Sequence, residues 1–212
     1  MRLSCCTAVL LSGWCCFGQG ISIGVVGGVR TTDDIVSDAT SESKRYAVGP
    51  EVEIGLPFGL GVEVDALYRR EGYSSSFSNF AGSNYSQERA NSWEFPMLLK
   101  YKFPFALIKP FVEGGYAPRV INGTVNNNGF TVNLQTGQQM YGQSHYSTND
   151  ASQGLVIGGG VQLSVGRLLI SPEVRYTRWN NQPVLVVEPD GPTFGSSQNQ
   201  VDILVGLSWK LR

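Results

Sequence analysis

The last twelve residues, Val201-Asp202-Ile203-Leu204-Val205-Gly206-Leu207-Ser208-Trp209-Lys210-Leu211-Arg212, carry an apolar side chain at every odd position. Val201, Ile203, Val205, Leu207, Trp209 and Leu211 share one face. Asp202, Gly206, Ser208, Lys210 and Arg212 share the other, with Leu204 as the exception. A period of two is the mark of a β-strand with unlike sides.

Working back from this segment, seven more stretches alternate in the same way: 21–30, 46–56, 60–69, 93–103, 108–118, 154–165 and 168–179. The clearest is 93–103, where Trp93, Phe95, Met97, Leu99, Tyr101 and Phe103 interleave with Glu94, Pro96, Leu98, Lys100 and Lys102. Each stretch is about the length that a tilted strand needs to cross a bilayer. The gaps between them measure 15, 3, 23, 4, 35, 2 and 21 residues, strictly long then short. Short gaps such as Pro57-Phe58-Gly59 and Gly166-Arg167 suit tight turns between antiparallel neighbours. The long gaps are rich in Ser, Asn, Gly, Gln and Tyr. Short turns on one rim and long loops on the other predict an all-β, eight-stranded antiparallel up-and-down transmembrane β-barrel.

Alternation alone does not separate a membrane barrel from a soluble one, since both have eight strands and one apolar face. The polar face decides it, being crowded with Gly49, Gly55, Gly61, Gly158, Gly160, Ser164 and Gly206. An eight-stranded ring has a narrow interior, so small residues belong inside and the apolar face meets lipid. Aromatic residues on the apolar face collect at strand ends. Tyr46, Tyr68, Trp93, Tyr116 and Tyr176 fall at the long-loop rim, and Phe58, Tyr101, Phe103 and Trp209 at the short-turn rim. Two such girdles are expected at the two headgroup levels of a membrane.

Composition agrees. The chain has 212 residues, 26 of them Gly, only 16% charged residues and a net charge of −1. That balance gives no electrostatic case for nucleic acid. All four cysteines (Cys5, Cys6, Cys15, Cys16) precede residue 17, in a segment with Arg2, an apolar stretch from Leu3 to Phe17, and Gly18-Gln19-Gly20. This pattern reads as a secretory signal peptide over residues 1–20, removed to leave a barrel domain at 21–212. No cysteine sits where lipid attachment would require it, and the mature chain would hold no thiol or disulfide.

The fold sends many charges inward: Glu51, Glu53, Glu63, Asp65, Glu94, Glu113, Glu173 and Asp202 against Arg30, Arg69, Lys100, Lys102, Lys109, Arg175 and Lys210. The three-residue turn sets Glu53 opposite Glu63 and Glu51 opposite Asp65, and like charges across a strand pair repel. Ion pairs from Arg69, Lys100, Lys102, Arg175 and Arg30 into this acidic patch are therefore expected. A lumen network of Glu51, Glu53, Glu63, Asp65, Arg69, Glu94, Lys100, Lys102, Glu113, Glu173, Arg175 and Asp202 would be structural. The alternative is a cation path controlled by the same acids.

The segments WEFPMLLKYKF (93–103), LLISPEVRYTRW (168–179) and the last strand resemble the small outer-membrane β-barrel proteins of Gram-negative bacteria, the OmpA/OmpX-type domains, without a peptidoglycan-binding domain. The last strand also resembles the C-terminal signal read by barrel-assembly machinery, through Gly206, Trp209 and Leu211, although it ends on Arg212 rather than an aromatic. The resemblance implies an outer-membrane location, contact with lipid and lipopolysaccharide, and both termini in the periplasm. Of the roles open to such a barrel, a structural or surface-interaction role, binding or adhesion through extracellular loops 31–45, 70–92, 119–153 and 180–200, leads over a narrow solute pore. The extracellular ligand is not named by the sequence. A lipid A-modifying enzyme ranks below both, because the single histidine, His145, lies in a long loop with no acid placed to orient it. No cofactor or metal-ligand motif is found in residues 21–212.

Overall fold

The computed structural model describes residues 20–32, 40–41, 43–104, 108–181, 185–186, 194–195 and 197–211. Apart from Gly20, the expected signal peptide lies outside the described residues. The longer strands are β1 (Ile21–Arg30), β2 (Tyr46–Gly55), β3 (Leu60–Asp65), β4 (Leu67–Asn79), β5 (Gly82–Glu94), β6 (Met97–Lys102), β7 (Ile108–Val132), β8 (Gln139–Val165), β9 (Leu168–Trp179) and β10 (Asn199–Lys210). β3 and β4 form one stave, interrupted at Ala66. β5 and β6 form another, interrupted at Phe95-Pro96. Pro96 lacks the N–H that a ladder needs, so pairing lapses there; the register on either side is unchanged.

Eight staves result, each antiparallel to the next, and the last returns to the first. β10 pairs with β1 from Ser22↔Lys210 to Arg30↔Asp202. A circuit of the ring runs from Gly55 to Gly61, Lys100, Glu113, Gly158, Arg175, Asp202 and Arg30. The Gly55 N–H donates to the Gly20 carbonyl at the foot of β1 (2.8 Å), so one turn climbs ten positions, from residue 20 to residue 30. Eight strands with that stagger tilt by about 40° and enclose a backbone radius of about 8 Å, a lumen that side chains fill.

Alternation dictates which side is which. Ile203, Val205, Leu207 and Trp209 are exposed on the outside of β10, while Asp202, Leu204, Gly206 and Ser208 are buried within. The same inversion, apolar residues out and charged residues in, holds around the ring. Leu204, the exception in the sequence pattern, packs inside the lumen with Val26, Ala47 and Leu67. A second interior cluster joins Leu98, Ala117, Val156 and Trp179.

The short rim is closed by tight turns. Pro57-Phe58-Gly59 places Phe58 and Gly59 at positive φ (63° and 80°), and Leu56 N–H donates to the Leu60 carbonyl at 2.8 Å. A side chain at Gly59 would also lie 2.4 Å from the Lys102 carbonyl oxygen. The resulting register sets Glu51 opposite Asp65 and Glu53 opposite Glu63.

The long rim departs from the sequence reading. Segments 70–92 and 119–153, read as loops, are hairpins: β4 pairs with β5 from Leu67↔Glu94 to Asn79↔Gly82, and β7 with β8 from Ile108↔Leu163 to Val132↔Gln139. Together they form a four-stranded sheet that continues the barrel wall. From Trp93 to Gly82 this extension rises on the order of 30 Å beyond the aromatic rim. Near its base the extension buries Tyr73, Ala90, Ile121 and Val125, but these are interleaved with buried Glu71, Ser86 and Glu88, and β8 from Gln139 to Ala151 is exposed on both faces, so no sustained apolar period marks it in the sequence. Its tips are closed by asparagine side chains: Asn133 Oδ1 accepts from Gln135 N–H (2.9 Å) and Asn79 Oδ1 from Ala81 N–H (2.8 Å). Of segments 31–45 and 180–200, the described residues include Thr40–Ser41, paired with β4, and Leu185–Val186, paired with Phe194–Gly195.

Closure depends on close approach of β1 to β10. A Cβ at Gly28 would lie 1.9 Å from the Ile203 carbonyl oxygen. Gly28→Val is therefore expected to prevent closure. The parent should shift in gel mobility on boiling and the variant should show only the unfolded band; a variant with an unchanged shift would refute this account of the seam.

Candidate functional site

Inward parity brings the charged residues of seven staves into one narrow space, where they sort into levels. At the short-turn end, Lys102 Nζ bonds Glu53 and also donates to Gln162 Oε1 at 3.0 Å. Above this lies a dense acidic level. Arg175 reaches Glu63 (2.7 Å), Asp65 (2.5 Å), Glu113 (2.9 Å) and Glu173 (2.6 Å). Lys100 reaches Glu63 (2.6 Å), Glu113 (3.2 Å) and Glu173 (3.3 Å), and lies over the Phe111 ring at 4.5 Å. Glu51 is buried at this level as well, and among the described residues it forms no ion pair.

The next level is balanced. Arg69 pairs with Glu94 (3.0 Å) and Asp202 (2.6 Å); Arg30 lies 3.8 Å from Glu71 and 3.9 Å from Glu94; Arg119 lies 3.9 Å from Glu71. Arg119 also stacks 3.8 Å over Trp179, whose indole N–H donates to Gln200 Oε1 at 3.0 Å. Gln200 accepts in addition from Arg30 (2.8 Å) and donates to Asp202 (2.7 Å). Between the levels sit apolar side chains: Leu67 falls between Asp65 and Arg69 on one stave, and Leu204 between Asp202 and Gly206 on another.

The structure thus brings Lys100, Lys102 and Arg175 to the acidic patch, but directs Arg69 and Arg30 to Glu94, Asp202 and Glu71. The reason is height: Arg69 stands four residues above Asp65 on its stave, about 10 Å along the barrel axis for a strand tilted by about 40°. Sequence reading missed Glu71, Arg119, Trp179 and Gln200. Glu71 and Arg119 fell in the presumed loops, yet Glu71 is two residues beyond inward Arg69 and Arg119 keeps the parity of inward Glu113, so carrying the parity past the segment ends would have found them.

The outward aromatics lie in two rows, one at each end of the staves. At the long rim Tyr68 lies 5.3 Å from Trp93, and its hydroxyl donates to Asn91 Oδ1 at 2.6 Å. Tyr176 donates likewise to Asn199 (2.7 Å), while Tyr46 and Tyr116 share this rim. At the short rim Tyr101 meets Phe103 edge-on at 5.1 Å, and Trp209 is exposed. Trp93 and Tyr101 are eight residues apart on one stave, or roughly 20 Å along the axis, close to the height of an outer-membrane apolar band.

Above the lumen, on the extension, Glu88 is buried beside Glu71 and Asp150. Burial, then Glu71, push its carboxyl up from 4.5 to about 6; the Thr148 hydroxyl, donating at 3.5 Å, pulls the other way, and Asp150 adds a smaller push upward. His145 Nδ1 contacts Asn126 Oδ1 at 2.5 Å across the β7–β8 ladder. Among the described residues no carboxylate orients that imidazole and no Ser-His-acid relay is assembled.

The model of the outer membrane protein β-barrel domain family matches residues 17–178, and the chain belongs to that family. Similar solved structures include the N-terminal β-barrel domain of Pseudomonas aeruginosa OprF (10% identity, 91% of this chain and 97% of that chain covered, TM-score 0.43). Others are Ail, the attachment invasion locus protein of Yersinia pestis, in complex with the heparin analogue sucrose octasulfate (12%, 91% and 97%, TM-score 0.41), and a major outer membrane protein from Thermus thermophilus (9%, 92% and 100%, TM-score 0.49). No curated protein sequence matches the chain. The protein is accordingly an outer-membrane barrel in contact with lipid.

Two outcomes follow. Arg175→Met leaves Asp65 with no cation and Glu63, Glu113 and Glu173 with Lys100 alone, and should cost about 3–5 kcal/mol in urea unfolding of the detergent-folded barrel. A loss below about 1 kcal/mol would show that Arg175 is dispensable to the network. For Glu88, the folded carboxyl titrates above its unfolded value, so its favourable contribution is complete below pH 4.5 and is lost as pH rises through about 6. Amide hydrogen exchange around residues 86–90, corrected for intrinsic pH dependence, should report a less stable sheet at pH 7 than at pH 5, and Glu88→Gln should remove the difference.

Proposed function

We propose that this barrel is a non-enzymatic surface-interaction protein whose protruding sheet binds extended polypeptide, with the long rim facing the cell exterior and both termini in the periplasm. The observation that carries this reading is the outer edge of β8. From Gln139 to Ala151, β8 pairs with β7 on one side, and among the described residues no strand pairs with the other. Edges of natural sheets are ordinarily blunted by lysine, proline or bulges. This edge holds one charged residue, Asp150, and no proline. An unblunted row of backbone donors and acceptors favours strand addition, with main-chain hydrogen bonds for affinity and flanking side chains for selectivity. Tyr141 and Phe130, 5.9 Å apart near the tip, supply an exposed aromatic contact.

The pore alternative has less support. The lumen is crossed by ion pairs at successive levels and by apolar clusters between them. The network reads better as the packing of a narrow barrel, and the exposed face of β10 as the surface that assembly machinery engages.

The test compares cells displaying the full chain with cells displaying one in which Thr124–Ser147 is replaced by a two-residue turn, which keeps Gly123 opposite Thr148. Adherence to immobilised extracellular-matrix proteins should fall to the background of non-expressing cells, with the boiling-dependent gel shift retained. Equal adherence of the two, or none by the full chain, would reject the reading.

A further inference from the structure

The acidic level of the lumen holds more negative charge than its cations balance. Glu51, Glu63, Asp65, Glu113 and Glu173 face only Lys100 and Arg175, and both cations are already committed. Arg175 is shared among four carboxylates and Lys100 among three, none of them Glu51. We propose that Glu51, Glu63 and Asp65 form a binding site for one hard divalent cation, calcium or magnesium, inside the barrel.

Three observations support the site. First, each of these residues offers a carboxylate oxygen within 4.8 Å of the others. Oxygens bound to one calcium ion at 2.3–2.6 Å stand at most about 5 Å apart, so the trio needs little movement to close on an ion. Second, Asp65 is 1% exposed, and its Oδ1 has no hydrogen-bond partner; Arg175 takes only Oδ2. A charged oxygen buried without a hydrogen-bond partner, on a residue grouped with two further carboxylates, is destabilising. A cation removes that cost, whereas a further protein contact is not at hand.

Third, the backbone leaves room for Glu51. It is 5% exposed, and a Cβ at Gly206 would lie 2.7 Å from its Oε2. At the short-turn mouth, one level below, a cavity of about 440 Å³ is lined by Ser22, Glu53, Lys102, Gln162, Lys109 and Lys210. Glu63 is shared with Lys100 and Arg175, so Glu51 and Asp65 Oδ1 supply the ligands that no protein cation holds. An all-carboxylate set with no nitrogen or sulfur selects calcium or magnesium over zinc or copper.

The test uses the barrel purified from membranes, stripped with EDTA and titrated with calcium chloride or magnesium chloride at constant pH and ionic strength. Isothermal titration should show one ion per chain, with a saturable rise in the temperature at which the boiling-dependent mobility shift occurs. Glu51→Gln should weaken binding by roughly tenfold or more, while raising stability in EDTA because it relieves repulsion. Gly206→Ala, which keeps the charge but displaces the Glu51 carboxylate, should weaken binding as well. The proposal is overturned if the parent binds neither ion, if both variants bind as the parent does, or if stability follows pH alone, which would mean that protons neutralise the trio.

Discussion

Every backbone hydrogen bond inside a bilayer must be made within the protein, and in this chain that requirement is met at the pairing of β10 with β1. Without it two edges of unpaired N–H and C=O groups would face hydrocarbon, each group costing several kcal/mol. The pairing requires glycine where the seam is tightest, at Gly28 against the Ile203 carbonyl. It also sets the stagger of the ring, which fixes the tilt and the bore.

A narrow bore determines the chemistry of the interior. The lumen takes the place of a hydrophobic core, but it is filled mainly by charged residues because the apolar ones are needed outside. Arg175 holds four acids together and Arg69 bridges Glu94 to Asp202, while Leu67 and Leu204 fill the space between. Such a network is costly unless each charge is matched. The upper level achieves this with three arginines against Glu71, Glu94 and Asp202; the lower level does not, and that imbalance singles out Glu51 and Asp65.

Outside the membrane the constraint reverses. Water satisfies exposed backbone, so the β4–β5 and β7–β8 hairpins can extend past the rim with one edge unpaired among the described residues. Their strands are held by the ladder and by Asn133 and Asn79 at the tips, with apolar burial confined to Tyr73, Ala90, Ile121 and Val125 near the base. An element of this kind can be altered with little effect on the barrel beneath it.

The alternation along the strands and the long-short rhythm of the gaps specified eight staves and the opposition of Glu51 with Asp65 and Glu53 with Glu63, and the small residues crowding the polar face, with the aromatics at the strand ends, specified which face meets lipid. These features are local: side chains two apart share a face, and a three-residue turn sets its own register. Which charges meet across the lumen was not legible, because that depends on the stagger accumulated over all eight pairings. Only the closed ring sent Arg69 and Arg30 to Glu94, Asp202 and Glu71, and left Glu51 without a cationic partner among the described residues. The extended hairpins were hidden for a different reason. Strands whose buried positions mix Glu71, Ser86 and Glu88 with Tyr73, Ala90, Ile121 and Val125, and whose tips are wet on both faces, have no steady apolar period to read, so their existence was decided by the ladder that joins each to its neighbour.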